Sequence, residues 1–126
     1  MLVEVQVPPQ PEGAGWAFQE LSRRHGDFAL VGVAALLQLE GSRCSACRIV
    51  LTGVGGTPMR ATSVEAALLG QKVDQGLIAS ASPLVVEDID PPSDIHATSQ
   101  YRRQVASVLV ERTLKEALSR AEGAEL

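Results

Sequence analysis

Hydrophobic residues change their spacing along this chain, and that change limits the possible fold more than any other feature. Up to about residue 52 most apolar side chains come in short runs or alternate with polar ones, the spacing of β-strands. After residue 61 they recur mostly at three- and four-residue steps, the spacing of helices. Strands followed by helices favour an α+β sandwich over an alternating parallel fold. The expectation is an antiparallel sheet of three to four strands followed by three helices packed on one of its faces.

The first apolar segment, Leu2-Val3-Glu4-Val5-Gln6-Val7, alternates with the β period until Pro8-Pro9 stops it, so it reads as a strand that starts at once. A chain opening inside a strand suggests a piece of something longer. Residues 10–15, rich in Pro and Gly, form a loop, and residues 16–24 are expected to make a helical turn or two. A hairpin follows: residues 28–39, a turn at Glu40-Gly41-Ser42, and residues 43–52. Gly53-Val54-Gly55-Gly56-Thr57-Pro58 ends it in a loop. Thr62-Ser63-Val64-Glu65 has the order of a capping box, and Gly70 stops the short helix that it opens. A second helix runs from about Val73 through Ala81, with Pro83 ending or kinking it. The acidic, proline-broken stretch 87–96 is a loop. Last comes the longest helix, residues 98–121, which should bury Tyr101, Val105, Val108, Leu109, Leu114, Ala117 and Leu118 and turn its arginines and glutamates to water.

At 126 residues and 45% apolar, the chain can bury one ordinary core, so residues 1–126 read as a single domain. A net charge of −4, with basic residues scattered apart from the pairs Arg23-Arg24 and Arg102-Arg103, argues against nucleic acid, whose binding needs clustered positive charge. The longest nearly apolar stretch, residues 28–39, is far short of the ~20 residues that cross a bilayer. With no secretory signal legible, a soluble cytoplasmic protein is the default.

The two cysteines, Cys44 and Cys47, have the spacing of a redox pair or of half a zinc site. They lie in a β-like run, where residues three apart point to opposite faces, so two small residues of a reduced protein is the better reading. The glycine loop 53–58 fits neither phosphate-binding template: Pro58 stands where a dinucleotide fingerprint wants glycine, and no Lys-Ser or Lys-Thr follows. Asp88, Asp90, Asp94 and His96 could be drawn as a metal or acid–base site, but aspartates ahead of a helix more often favour its positive end. The cluster Arg23-Arg24-His25-Gly26-Asp27 is the most suggestive. Its plain reading is a turn in which Asp27 pairs with an arginine or with turn amides.

Four segments, in order, carry a resemblance. They are residues 18–29 (Phe18 through Arg23-Arg24-His25-Gly26-Asp27 to Ala29), residues 48–61 (Arg48-Ile49-Val50-Leu51-Thr52-Gly53 to Ala61), Asp90-Pro91-Pro92-Ser93-Asp94-Ile95-His96, and Tyr101-Arg102-Arg103 leading to Val108-Leu109-Val110-Glu111-Arg112. Together they resemble the carboxy-terminal domain of the flavoprotein (medium) subunit in the xanthine dehydrogenase and aerobic carbon monoxide dehydrogenase family of molybdenum hydroxylases. The first resembles a passage from a short helix into a strand.

The resemblance implies a subunit whose amino-terminal half, absent here, holds FAD. Electrons would reach that flavin from a molybdopterin centre on a large subunit through iron–sulfur clusters on a small subunit, and leave to an acceptor. The carboxy-terminal domain would close over the flavin region and help seat the subunit. By itself it is not expected to bind FAD tightly or to be catalytically complete, and no catalytic or metal-binding residue is expected. Gln19, Glu20, Arg24 and Asp27 would line the flavin side, although relatives commonly carry a lysine near Gln19 and Glu20. Two other readings stay open: a stand-alone interaction module that kept the fold without flavin, and a small redox protein using Cys44 and Cys47.

Overall fold

The computed structural model describes residues 1–123. Four antiparallel strands form a meander in the order β1-β2-β3-β4: β1 (Gly15–Leu21), β2 (Val31–Glu40), β3 (Arg43–Thr52) and β4 (Met59–Arg60). Three α-helices follow, α1 (Thr62–Leu68), α2 (Gln75–Ala81) and α3 (Ser99–Ala121), with a 3-10 helix (Ser82–Glu87) between the last two. The expected α+β sandwich is therefore the fold, with the helices stacked on one face of the sheet.

Strand register explains the layering. Val31, Val33, Ala35 and Leu37 of β2 alternate onto the helix side, beside Ala17 of β1 and Cys47, Ile49 and Leu51 of β3, and all are buried. Ala106, Leu109, Val110, Leu114, Ala117 and Leu118 of α3 cover β1 and β2, while Val64 and Leu68 of α1 pack beside β3. Fully burying each such large aliphatic side chain contributes roughly 1.5–3 kcal/mol. Helix and sheet approach closely at Gly15, where a Cβ would collide with the Ala117 carbonyl and the Ala121 backbone of α3.

Several local expectations are corrected. Residues 2–7 form no strand: Leu2, Val3, Val5 and Val7 are 70–84% exposed, because no strand among the described residues lies alongside to take their backbone hydrogen bonds. Residues 16–24 are not helical. β1 occupies most of them, since Trp16, Phe18 and Glu20 fall on one face, Gly15 and Ala17 on the other, and β2 supplies the pairing. The capping box also fails. Ala61 is the N-cap of α1 without a side-chain bond, and Asp88, from the acidic linker, instead accepts the Ser63 amide at 2.8 Å.

Glu65 turns inward from α1, accepting the Ile49 amide at 2.8 Å and pairing with Arg60. It thereby satisfies the edge of β3 where the two-residue β4 stops. Upstream, the same edge is covered by residues 69–73 through Gly70 N–H to Cys44 O and Cys44 N–H to Gln71 O.

The two cysteines do not face opposite ways. Gln38 pairs with Ala46 and Leu39 with Cys44, so Ser45 is an extra residue that shifts the register and turns both thiols into the core, at 2% and 3% exposure. On α3, Tyr101 and Val108 are about half exposed, and Arg102, expected in water, is 5% exposed.

Candidate functional site

Buried Arg102 organises one end of the molecule. It sits in the first turn of α3, whose N-cap Thr98 accepts the Tyr101 amide through its hydroxyl at 3.1 Å. Its Nη1 donates to the Leu30 carbonyl and, at 3.2 Å, to the Gly53 carbonyl, while Nη2 donates to both oxygens of Asp94 at 3.1 Å. Asp94 also accepts the His96 amide at 2.9 Å and the Ala97 amide at 3.1 Å. Those two amides, then Arg102, hold the Asp94 carboxyl below the usual carboxylate range. Gly53 has φ +80°, and a Cβ there would strike the Leu30 carbonyl, so glycine is needed for the two loops to touch. One guanidinium thus ties the β1–β2 loop, the exit from β3 and the acidic linker together.

The β1–β2 loop rises from this anchor. Ser22 Oγ and the Asp27 amide both donate to the Arg24 carbonyl, at 2.9 and 3.1 Å, folding the loop around Gly26. Arg23 Nη2 donates to the His96 carbonyl at 2.8 Å, a second tie to the linker. Beneath the loop lies a cavity of about 190 Å³ bounded by Arg23, Asp27, Phe28, His96 and Arg102, with a shallower cleft of about 360 Å³ beside it reaching Ser22, Thr98 and Tyr101. Phe28 is fully exposed over this end.

The four residues expected from the sequence to line a cofactor do not converge. Arg24 and Asp27 share the exposed loop, and Asp27 borders the cavity. Gln19 faces α3, donating to Glu116 at 2.9 Å, whereas Glu20, one residue on, points from the opposite face of β1. The geometry adds Arg23, Phe28, His96 and Arg102. All four stand in segments that the sequence singles out, but nothing local marks Arg102 as buried, because its partners are 8, 49 and 72 residues away.

A second surface is the sheet face opposite the helices. Register sets Trp16 beside Leu36 and Phe18 beside Ala34, with Val50 one strand further on, and Trp16 and Phe18 are 48% and 56% exposed. Arg120 of α3 donates to the Trp16 carbonyl at 2.7 Å and lies 4.1 Å from its ring centroid. The cysteines belong to neither surface. Burial pushes the Cys47 thiol up to about 12, helped by Cys44 and Glu65, so it is a poor nucleophile. Among the described residues, no three His, Cys, Asp or Glu are placed to hold a metal ion, and no helix is long and apolar enough to cross a membrane.

Residues 16–117 match the family model described as the CO dehydrogenase flavoprotein C-terminal domain. The chain is 43% identical over 122 residues to the 6-hydroxypseudooxynicotine dehydrogenase complex subunit alpha of Paenarthrobacter nicotinovorans, covering 96% of this chain and 41% of that protein. It is 31% identical over 120 residues to the carbon monoxide dehydrogenase medium chain of Hydrogenophaga pseudoflava, covering 95% and 42%. The fold superposes with a TM-score of 0.85 at 34% identity on a solved carbon monoxide dehydrogenase from Hydrogenophaga pseudoflava, in a form lacking the Mo-pyranopterin moiety of its molybdenum cofactor; the match spans 90% of this chain and 40% of that one. The chain thus spans about two fifths of the length of the relatives that it matches.

Proposed function

The chain belongs to the CO dehydrogenase flavoprotein C-terminal domain family, and on that premise we propose that it is the lid of a flavin-carrying medium subunit in a molybdenum hydroxylase. In this reading the rest of the subunit binds FAD, an iron–sulfur subunit delivers electrons, and a molybdopterin subunit oxidises the substrate. Residues 22–30 cover the flavin region. The observation that carries the reading is the anchored loop itself: Arg102 and Arg23 hold residues 22–30 over open cavities of about 190 and 360 Å³, a shape that offers a bound molecule one wall.

FAD fits this end of the molecule as one wall and not as an enclosure. Phe28 offers an exposed aromatic face, Arg24 and Asp27 offer one charge of each sign on the loop, and the main chain beneath is pinned by Arg102 and Arg23. When bound, the flavin supplies the redox chemistry. This chain's residues position the loop, exclude water and fix the local charge. Gln19 is engaged with Glu116 and Glu20 lies on the open sheet face, so Arg24, Asp27 and Phe28 are the proposed contacts. The apolar open face around Trp16 and Phe18 supports a role in seating the subunit.

The test is to mix the 126-residue chain with FAD, with and without a recombinant FAD-binding half of such a subunit, and to follow flavin fluorescence and co-elution. Retention of both polypeptides and flavin in one species is expected only with the added half. Micromolar or tighter FAD binding by the chain alone would overturn the lid. Mutual indifference of the two halves would leave the stand-alone interaction module as the better account.

A further inference from the structure

Helix α3 has a second regular stripe besides the one that it buries against the sheet. Tyr101, Val105, Val108 and Arg112 follow one another at steps of four, three and four residues, which lines them up along the solvent side of the helix. Tyr101 and Val108 are 45% and 47% exposed, and Val105 is partly buried. Clefts flank this ridge. One, of about 190 Å³, lies between Leu21, Val105, Val108 and Arg112, and a shallower one of about 480 Å³ reaches Val86 and Gln104. A ridge with a groove on each side is the shape against which one helix packs another.

The stripe is complementary to itself. Two α3 helices laid antiparallel, with a two-fold axis beside Ala106 and Ser107, set Val105 of each copy against Val108 of the other. The same axis sets Tyr101 of each copy against Arg112 of the other. The stripe holds one cation and no carboxylate, and Arg112 forms no ion pair among the described residues, so its guanidinium can lie over the half-exposed Tyr101 ring. Antiparallel axes also oppose the two helix dipoles. A parallel pair in register has none of these matches, because it sets Arg112 against Arg112.

We propose that the solvent face of α3 is a self-association surface through which two copies of this chain pair as antiparallel helices. The occupant is a second copy because the apolar centre meets its own kind and the one cation meets the one aromatic ring. The surface belongs to the outer side of the helix layer, opposite the open sheet face, so the inference is independent of the flavoprotein reading and its failure leaves the lid untouched.

Sedimentation velocity on the 126-residue chain tests it. The expected result is a monomer–dimer equilibrium with a dissociation constant on the order of 10 μM, in keeping with a small interface. Val108→Asp, at a half-exposed position, should weaken pairing by at least about tenfold. Tyr101→Arg should do the same by facing a new cation with Arg112 of the other copy, and adding Arg112→Glu should restore pairing, since only the antiparallel register brings these positions together. Should Val108→Asp fail to fold, the charge swap decides alone, because Tyr101 and Arg112 are both exposed. A chain that stays monomeric up to about 0.5 mM, or a dimer indifferent to these variants, would overturn the surface. A dimer lost in Tyr101→Arg and not regained with Arg112→Glu would overturn the antiparallel register.

Discussion

At the scale of single residues, the decisive side chain is Arg102, and its weight comes from the number of groups that depend on it. Replacing it with alanine strands the Leu30 and Gly53 carbonyls and removes the cationic partner of Asp94, so Arg102→Ala is expected to cost roughly 2–4 kcal/mol in urea unfolding. Arg102→Lys should recover less than half of that, because an ammonium cannot span carbonyl and carboxylate as a planar fork does. A loss below about 1 kcal/mol for the alanine variant would mean that water substitutes for the guanidinium. Cys47 gives a prediction with a definite pH sign. Its folded pKa, raised to about 12 chiefly by burial, lies above the ordinary value of 9.0, so the fold favours the neutral thiol. That stability is complete below about pH 9 and is lost as pH rises toward 12, by roughly 1.4 kcal/mol per unit at most. Urea midpoints of the chain and of Cys47→Ala, followed from pH 7 to 10.5, should converge as the solution becomes alkaline; parallel curves would rule the effect out.

At the scale of elements, the packing of α3 on β1 depends on a residue with no side chain. Gly15→Ala would push a methyl into the backbone of α3 near Ala117 and Ala121, and an overpacking penalty of about 1–3 kcal/mol is expected in the same unfolding assay. A neutral substitution would show that α3 can slide. Elements with a strong period were legible in the sequence. The hairpin β2–β3 is legible because two β-rich apolar runs flank the turn signal Glu40-Gly41-Ser42, and helix α3 because its three-to-four step persists along 23 residues. β1 was misread because its alternation is between glycine or alanine and bulky residues, a contrast of size more than polarity. β4 is too short to leave a pattern, and the bulge at Ser45 exists only in the pairing of two strands.

At the scale of the whole molecule, the face opposite the helices carries Trp16 and Phe18, and the loop end carries an open cavity anchored by Arg102. The proposed function assigns both surfaces to contacts with another polypeptide, which is why it is positional. The sequence by itself determined the fold class, since the order of β-period and helix-period segments leaves few ways to build one core. It also carried the family resemblance, through four short segments in order. Only the tertiary structure decided which charged residue is buried, which aspartate caps α1, and which faces Gln19 and Glu20 occupy. The physical reason is common to all three. A side chain's partner is set by what the fold brings beside it, often from 25 to 97 residues away, and no local pattern encodes that distance.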